Sequence, residues 1–186
     1  MRHRVLTVFT AFLLVLPSSA QQHHSDGLDD VMQHVPMASV LVMKACGADN
    51  GHGWTETLGT MASSYVLSAG VAWGLKHSVK EWRPDDSNQR SFPSGHATLA
   101  FAGATTLRHE YGQVSPWIAV GGYTVAVLTA ADRVRRDRHY WHDVCAGAAI
   151  GVLSTELVYY IKGKMRKDDR VSVAFSPNSL YVAVNW

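Results

Sequence analysis

The chain has 186 residues, a length that predicts a single domain. Charged residues make up 17% of it, below the roughly 25% usual in soluble proteins, yet the mean hydropathy of -0.05 is low for a membrane-embedded chain. If a leader containing Arg2 and Arg4 is removed, the 17 basic residues fall to 15 and equal the 15 acidic ones. This neutral balance argues against a general nucleic-acid binder.

The N-terminus has the pattern of a secretory signal. Arg2 and Arg4 precede an apolar run at residues 5–16, which is too short for a comfortable span, and residues 17–20 form a small-residue cleavage pattern. We expect residues 1–20 to be removed on export. An uncleaved N-terminal anchor is the alternative.

The chain has two cysteines, Cys46 and Cys145. Export predicts an oxidising compartment, where the two either form a disulfide or remain buried thiols. Two cysteines are too few for a cysteine-based zinc site, and we expect neither a metal nor another cofactor. Histidines such as His52 and His142 are expected in loops or on the surface.

Apolar segments predict five helices after the leader. They span residues 31–46, 57–82, 94–111, 116–131 and 139–161. Pro84 ends the second helix because proline disfavours a helical conformation in the residue before it. Gly112 ends the third, and Pro116 suits the start of the fourth.

These elements predict an all-α fold, an antiparallel helical bundle of about five helices with a short C-terminal β-like tail. The helical domain covers residues 21–170, and the alternating tail covers residues 171–186. Helices of roughly 18–23 residues are long enough to cross a bilayer. A membrane-spanning bundle and a soluble exported bundle therefore both remain open.

The first candidate motif is Lys76-x6-Arg83-Pro84 at the end of the second predicted helix. Residues seven apart on a helix lie two turns apart on one side, so both cations would point the same way. Lysine offers a point charge and arginine a planar fork suited to phosphate. A solvated basic helix end is the alternative.

The second motif is Pro93-Ser94-Gly95-His96 at the start of the third predicted helix. Free N–H groups at a helix start bind anions, and Gly95 lets a ligand approach the backbone. Ser94 can cap the helix or donate to a phosphate oxygen, and His96 can act as a general acid. An ordinary cap followed by an exposed histidine is the alternative.

The third motif is Arg133-x5-His139-x3-Asp143. His139 and Asp143 are four apart on the last predicted helix, so their side chains can meet. A carboxylate that holds one ring nitrogen leaves the other free to attack, and Arg133 can stabilise negative charge on the transferred group. A surface His–Asp pair is the alternative.

The order of the helices joins the three motifs. In an antiparallel bundle, the second and fourth helices end where the third and fifth begin, so all three motifs fall at one end. The ordered set resembles the signature of the type-2 phosphatidic acid phosphatase superfamily, which includes bacterial non-specific acid phosphatases and vanadium haloperoxidases. The resemblance covers roughly residues 57–162.

The resemblance implies a role for each motif residue. His139 would be the nucleophile, Asp143 its orienting partner and His96 the acid for the leaving group. The phosphate would be held by Lys76, Arg83, Ser94, Gly95 and Arg133. The family usually has serine before the third-motif arginine, whereas this chain has Asp132; we expect Asp132 to point away from the site, the alternative being a pair with Arg133 or Arg135.

These residues predict a metal-independent phosphatase that hydrolyses lipid-linked phosphate monoesters or diphosphates through a phosphohistidine. A soluble exported acid phosphatase is the first alternative, and a non-catalytic helical membrane protein with an anion pocket is the second. If the helices span, a cleaved leader puts the site on the periplasmic side of a bacterial envelope. Basic residues from Lys162 to Lys167 then lie inside, as expected. The oligomeric state is left open.

Overall fold

A computed structural model describes residues 27–167, 171–176 and 179–184. Within these ranges the chain forms six helices and one two-stranded hairpin. The elements are α1 (Gly27–Met32), α2 (Val35–Ala45), α3 (Trp54–Ser78), α4 (Gly95–Tyr111), α5 (Pro116–Arg135), α6 (Trp141–Lys167), β1 (Val171–Ser176) and β2 (Ser179–Val184). The all-α bundle is confirmed. The expected leader, residues 1–20, lies outside the described residues.

Helix α4 is the centre of the bundle, and α2, α3, α5 and α6 pack around it. Its buried face consists largely of alanine, glycine and threonine, so its neighbours can approach closely. A Cβ added to Gly147 of α6 would lie 2.5 Å from the carbonyl oxygen of Ser94, and one added to Gly151 would collide with that of Thr98. Two glycines one turn apart therefore set the distance between α6 and α4.

The long helices alternate in direction. At one end, which we term the site end, the Ser94 N–H donates to the Asp143 carbonyl and the His139 N–H to the Arg133 carbonyl. These bonds join the starts of α4 and α6 to the last turn of α5. At the opposite end, Glu110 of α4 accepts a hydrogen bond from Tyr159 of α6 at 2.6 Å. The predicted antiparallel order is therefore present.

Helix α3 ends earlier than predicted, at Ser78 rather than residue 82. Val79 is extended, and the following segment folds back so that Glu81 bridges to Arg90 and the Arg83 N–H donates to the Asn88 carbonyl. The expectation that Lys76 and Arg83 share one helix face is wrong. The loop, not a helical repeat, brings Arg83 to the site end.

Two further helix boundaries differ from the predictions. Helix α5 continues to Arg135, so Arg133 belongs to its last turn. Helix α6 starts at Trp141, so His139 precedes it instead of opening it. The charged segment after residue 131 continues the helix because the Arg136 N–H still donates to the Asp132 carbonyl.

The predicted β-like tail forms an antiparallel hairpin, with Ser176 paired with Ser179 and Val171 with Val184. Cys46 and Cys145 are both free and exposed. Cys46 follows α2 at the opposite end, whereas Cys145 lies in α6 near the site end. Their positions at different ends contradict the disulfide, and their exposure contradicts the buried thiols.

Candidate active site

His139 and Asp143 form a buried pair at the site end. His139 is 2% exposed and Asp143 fully buried. The Nδ1 atom of His139 lies 3.4 Å from Oδ2 of Asp143. Because His139 lies in the loop before α6 and Asp143 in its first turn, the pair spans a helix start and not a helix face.

The Asp143 carboxylate is held from two further sides. Its Oδ2 accepts a hydrogen bond from the Ser91 hydroxyl and one from the Tyr140 N–H at 2.9 Å. The second bond satisfies a donor that the helix start leaves unpaired, and it places a negative charge near the positive end of the helix dipole. Asp143 therefore fixes the start of α6 as well as the ring beside it.

The second motif forms the start of α4 as predicted. Ser94 is buried, and its hydroxyl oxygen accepts from the Ala97 N–H at 3.4 Å. A Cβ added to Gly95 would meet nothing within 4 Å, so the backbone there faces open space. The first N–H groups of α4 are thus positioned to donate to an anion.

Three cations lie close enough to His139 to change its titration. The Lys76 ammonium donates to the Arg90 carbonyl at 2.9 Å, and Arg133 is 4% exposed. Burial, followed by the charges of Lys76, Arg83 and Arg133, holds the pKa of His139 well below its ordinary value, although Asp143 opposes them. The His139 ring is therefore neutral near neutral pH, the state in which a ring nitrogen can attack.

His96 is the remaining residue of the predicted set, and it lies in the first turn of α4. Its Nε2 is 2.8 Å from Oδ1 of Asp30 in α1. Burial lowers the pKa of His96, whereas the hydrogen bond to Asp30 raises it. Arg133 also influences His96 electrostatically, so all three motifs meet at the site end.

Asp132 contacts two arginines outside the predicted set. Its Oδ1 is 2.7 Å from Nη2 of Arg135, and its Oδ2 is 3.0 Å from Nε of Arg136. Arg135 was one of the two partners considered from the sequence. These ion pairs offset the negative charge that Asp132 brings next to Arg133.

Other residues of the site had no sequence signal. Ser91 lies 52 positions before Asp143, and Asp30 lies 66 positions before His96. His142 was expected to be an ordinary surface residue, but its Nε2 lies 2.7 Å from Oε1 of Glu81 and 3.3 Å from Oδ1 of Asp143. Tertiary folding alone brings these groups together.

Glu81, His142 and Asp143 also have the spacing of a metal-ligand group within the described part of the chain, because their ligand atoms lie within 4.8 Å of one another. The predicted lack of a metal therefore needs a direct test. The adjacent cations Lys76, Arg83 and Arg133 disfavour a divalent ion there.

The chain belongs to the PAP2 superfamily, whose family model matches residues 53–167. It is similar to the lipid A 1-phosphatase of Porphyromonas gingivalis, with 39% identity over 142 residues, which are 76% of this chain and 32% of that protein. It is also similar to lipid phosphate phosphatase 1 of Arabidopsis thaliana, with 32% identity over 105 residues, which are 50% of this chain and 30% of that protein. The chain thus spans about a third of the length of these two relatives.

The fold is similar to that in the crystal structure of Aquifex aeolicus LpxE. The TM-score is 0.56 at 21% sequence identity, and the match covers 83% of this chain and 94% of that one. The family model confirms the superfamily resemblance carried by the three motifs, and the helical bundle has a solved counterpart.

Proposed function

We propose that the chain is a phosphatase of phosphorylated lipids that works through a phosphohistidine on His139. The observation that supports this most strongly is the convergence at the site end. A buried, neutral histidine beside a carboxylate lies within the field of three cations, and an open helix start adjoins it. This arrangement suits a group that carries negative charge and undergoes attack by nitrogen.

In the first step, Nε2 of His139 attacks phosphorus while Nδ1–H faces Asp143. A P–N bond forms, the bond from phosphorus to the leaving oxygen breaks, and His96 gives its proton to that oxygen. Charge on the three equatorial oxygens is stabilised by Lys76, Arg83 and Arg133, with Ser94 and the Gly95 N–H completing the set.

In the second step, water attacks the phosphohistidine. His96, now neutral, accepts a proton from the water, the P–N bond breaks, and the electron pair returns to Nε2 of His139. Inorganic phosphate leaves, and both histidines regain their starting protonation. The cations supply the charge stabilisation that metal ions supply in other phosphoryl transfers.

A lipid substrate is supported by the apolar outer surface of the bundle. Large aliphatic side chains are exposed on three helices: Leu58, Val66 and Val71 on α3, Val120, Val127 and Leu128 on α5, and Leu153, Leu157 and Ile161 on α6. Among the described helices, one, Trp141–Arg166, is long and apolar enough to cross a membrane, with a mean hydropathy of 1.6. Apolar side chains left outside the bundle fit a hydrocarbon environment.

Exposed aromatic residues lie near both ends of this surface. Trp54 and Trp73 on α3 are exposed, as are Trp141 and Tyr160 on α6. Each pair is 19 positions apart, or about 28 Å at about 1.5 Å per residue. That separation matches a hydrocarbon core of about 30 Å with aromatic side chains at its two interfaces.

The site end would then lie at one membrane surface, within reach of a lipid headgroup. The start of α1 lies at the site end, because Asp30 contacts His96 there, and removal of the expected leader on export would leave that end outside the cytoplasm. We therefore propose a periplasmic site in a bacterial envelope. The name of the Porphyromonas gingivalis relative favours a lipid A 1-phosphate among lipid substrates.

The test is hydrolysis of a chromogenic phosphomonoester and of lipid A, phosphatidate and isoprenoid diphosphate in detergent with EDTA. Activity should persist with EDTA, and His139→Ala should lower kcat about a thousandfold or more. His109→Ala is the matched control, because His109 pairs with Glu156 away from the site. No hydrolysis of any phosphate ester would favour a non-catalytic protein, and loss in EDTA would contradict metal independence.

The same site also fits one alternative function. A soluble exported acid phosphatase would use the same residues on small phosphomonoesters. Carbonate extraction distinguishes the two, because an embedded bundle stays with the membrane pellet and a soluble one is released. Release of the protein into the soluble fraction would remove the support for a lipid substrate but would leave the proposed phosphatase mechanism unaffected.

A further inference from the structure

A second histidine–carboxylate pair lies at the site end, separate from His139 and Asp143. Nε2 of His96 is 2.8 Å from Oδ1 of Asp30, whose side chain is 60% exposed while that of His96 is 22% exposed. A carboxylate held against one ring nitrogen decides which nitrogen is free to exchange a proton. The pair therefore bears on how His96 acts.

The position of Asp30 is fixed by the packing of α2 on α4. The side-chain amide of Gln33 donates to the Asp30 carbonyl at 3.1 Å, which ties α1 to the turn before α2. A Cβ added to Gly103 of α4 would lie 2.8 Å from the backbone nitrogen of Met37, so α2 rests directly on α4. Because α4 also carries His96, the packing of α1 and α2 on α4 fixes the position of Asp30 relative to His96.

We propose that Asp30 is a positioning residue for His96 in the reaction proposed above, on which this inference rests. Asp30 accepts the Nε2–H of His96 in both steps. The Nδ1–H is the proton that passes to the leaving oxygen in the first step, and Nδ1 accepts a proton from water in the second. Nε2–H stays bonded to Asp30 throughout, so the ring does not rotate between the steps.

The charges around His96 give the direction of a pH effect. Asp30 faces it from α1, His34 from the turn before α2 and Arg133 from α5. Burial lowers the pKa of His96, Asp30 raises it, and Arg133 and His34 lower it. Removing the Asp30 charge lowers the pKa further, so protonated His96 is lost at a lower pH and activity at neutral pH falls.

The experiment compares Asp30→Asn with the wild type on an alkyl phosphate and on p-nitrophenyl phosphate across pH. We expect kcat for the alkyl phosphate to fall about tenfold at neutral pH, with KM within about twofold because phosphate contacts are unchanged. The basic limb should move to lower pH. The kcat for p-nitrophenyl phosphate should fall less, because the nitrophenolate leaving group needs little protonation.

The matched control is Asp49→Asn, which removes the same charge at the opposite end, where Asp49 accepts from the Gly51 N–H. In a His96→Ala background, Asp30→Asn should have no further effect on kcat. If Asp30→Asn kept the wild-type pH profile and the wild-type ratio of kcat values for the two esters, the Asp30 inference alone would be overturned. Absence of His139-dependent activity in the wild type would overturn the proposed function, and this inference with it.

Discussion

Asp143 illustrates how a single residue in this chain serves both folding and chemistry. Its carboxylate accepts from the Ser91 hydroxyl and the Tyr140 N–H, and it lies 3.4 Å from the His139 ring. The two hydrogen bonds use one oxygen, Oδ2, so the orientation of the carboxylate depends on Ser91. Ser91 would thus help to orient the ring that acts as nucleophile in the proposed mechanism.

Ser91→Ala tests whether Ser91 orients the Asp143 carboxylate. Without the hydroxyl, the Asp143 carboxylate loses one of its two hydrogen bonds and orients His139 less well. We expect kcat to fall roughly tenfold to a hundredfold with little change in KM, and loss of this buried hydrogen bond to lower the free energy of unfolding by about 1–3 kcal/mol. Ser87→Ala in the same loop, at an exposed position, is the control, and an equal loss in both variants would contradict the role of Ser91.

At the scale of elements, the distance between α6 and α4 holds the site together. Gly147 lies directly against the Ser94 carbonyl, and the Ser94 N–H donates to the Asp143 carbonyl. The second and third motifs are therefore joined through backbone atoms at a contact that only glycine permits.

Gly147→Ala should separate these two helices. The new Cβ would lie 2.5 Å from a backbone oxygen, so we expect a loss of about 1–3 kcal/mol in the free energy of unfolding and a fall in kcat. Thermal unfolding in detergent and the phosphatase assay measure the two effects.

Gly163→Ala in the same helix is the matched control for this contact. Its Cβ would meet nothing within 4 Å, and alanine favours a helix by about 1 kcal/mol over glycine, so this variant should be at least as stable as the wild type. Equal stability of the two alanine variants would contradict the packing role of Gly147.

The elements also show what a sequence can predict. The three motifs are short, and the alternating direction of the helices brings them to one end of the bundle. The predicted location of the site was therefore correct although the predicted ends of α3, α5 and α6 were not. Asp30 and Ser91 could not be predicted, because their partners lie 66 and 52 positions away and no helical period relates them. Arg83 was predicted for the wrong reason, since a folded-back loop replaces the expected helix.

For the whole molecule, the two ends of the bundle differ in chemistry. The site end carries the motif residues, and the opposite end carries a buried polar cluster around Glu110, which contacts Asn50, His52 and Tyr159. Hydrogen bonds satisfy this buried carboxylate. The aliphatic surface lies between the two ends, so an embedded bundle has a defined direction.

Single cysteines at the two ends test this direction. Cys46 is exposed at the opposite end, and Ser87 is exposed in the loop at the site end. In cells with a permeable outer membrane, an impermeant maleimide should label a variant that combines Cys46→Ser, Cys145→Ser and Ser87→Cys. It should label Cys145→Ser, which retains Cys46, only after the inner membrane is permeabilised. The reverse pattern would place the site in the cytoplasm.

The claim that His139 carries the phosphoryl group is tested most directly by trapping the intermediate. His96→Ala should slow attack by water while an activated ester such as p-nitrophenyl phosphate still transfers its phosphoryl group, so the intermediate should accumulate. This variant is mixed with an ester whose phosphate is radiolabelled, and the reaction is stopped rapidly without acid. We expect label that is stable in alkali and labile in acid on the peptide that contains His139. No label is expected when His139→Ala is added. Hydrolysis without such label, or label that persists in the double variant, would contradict the proposed mechanism.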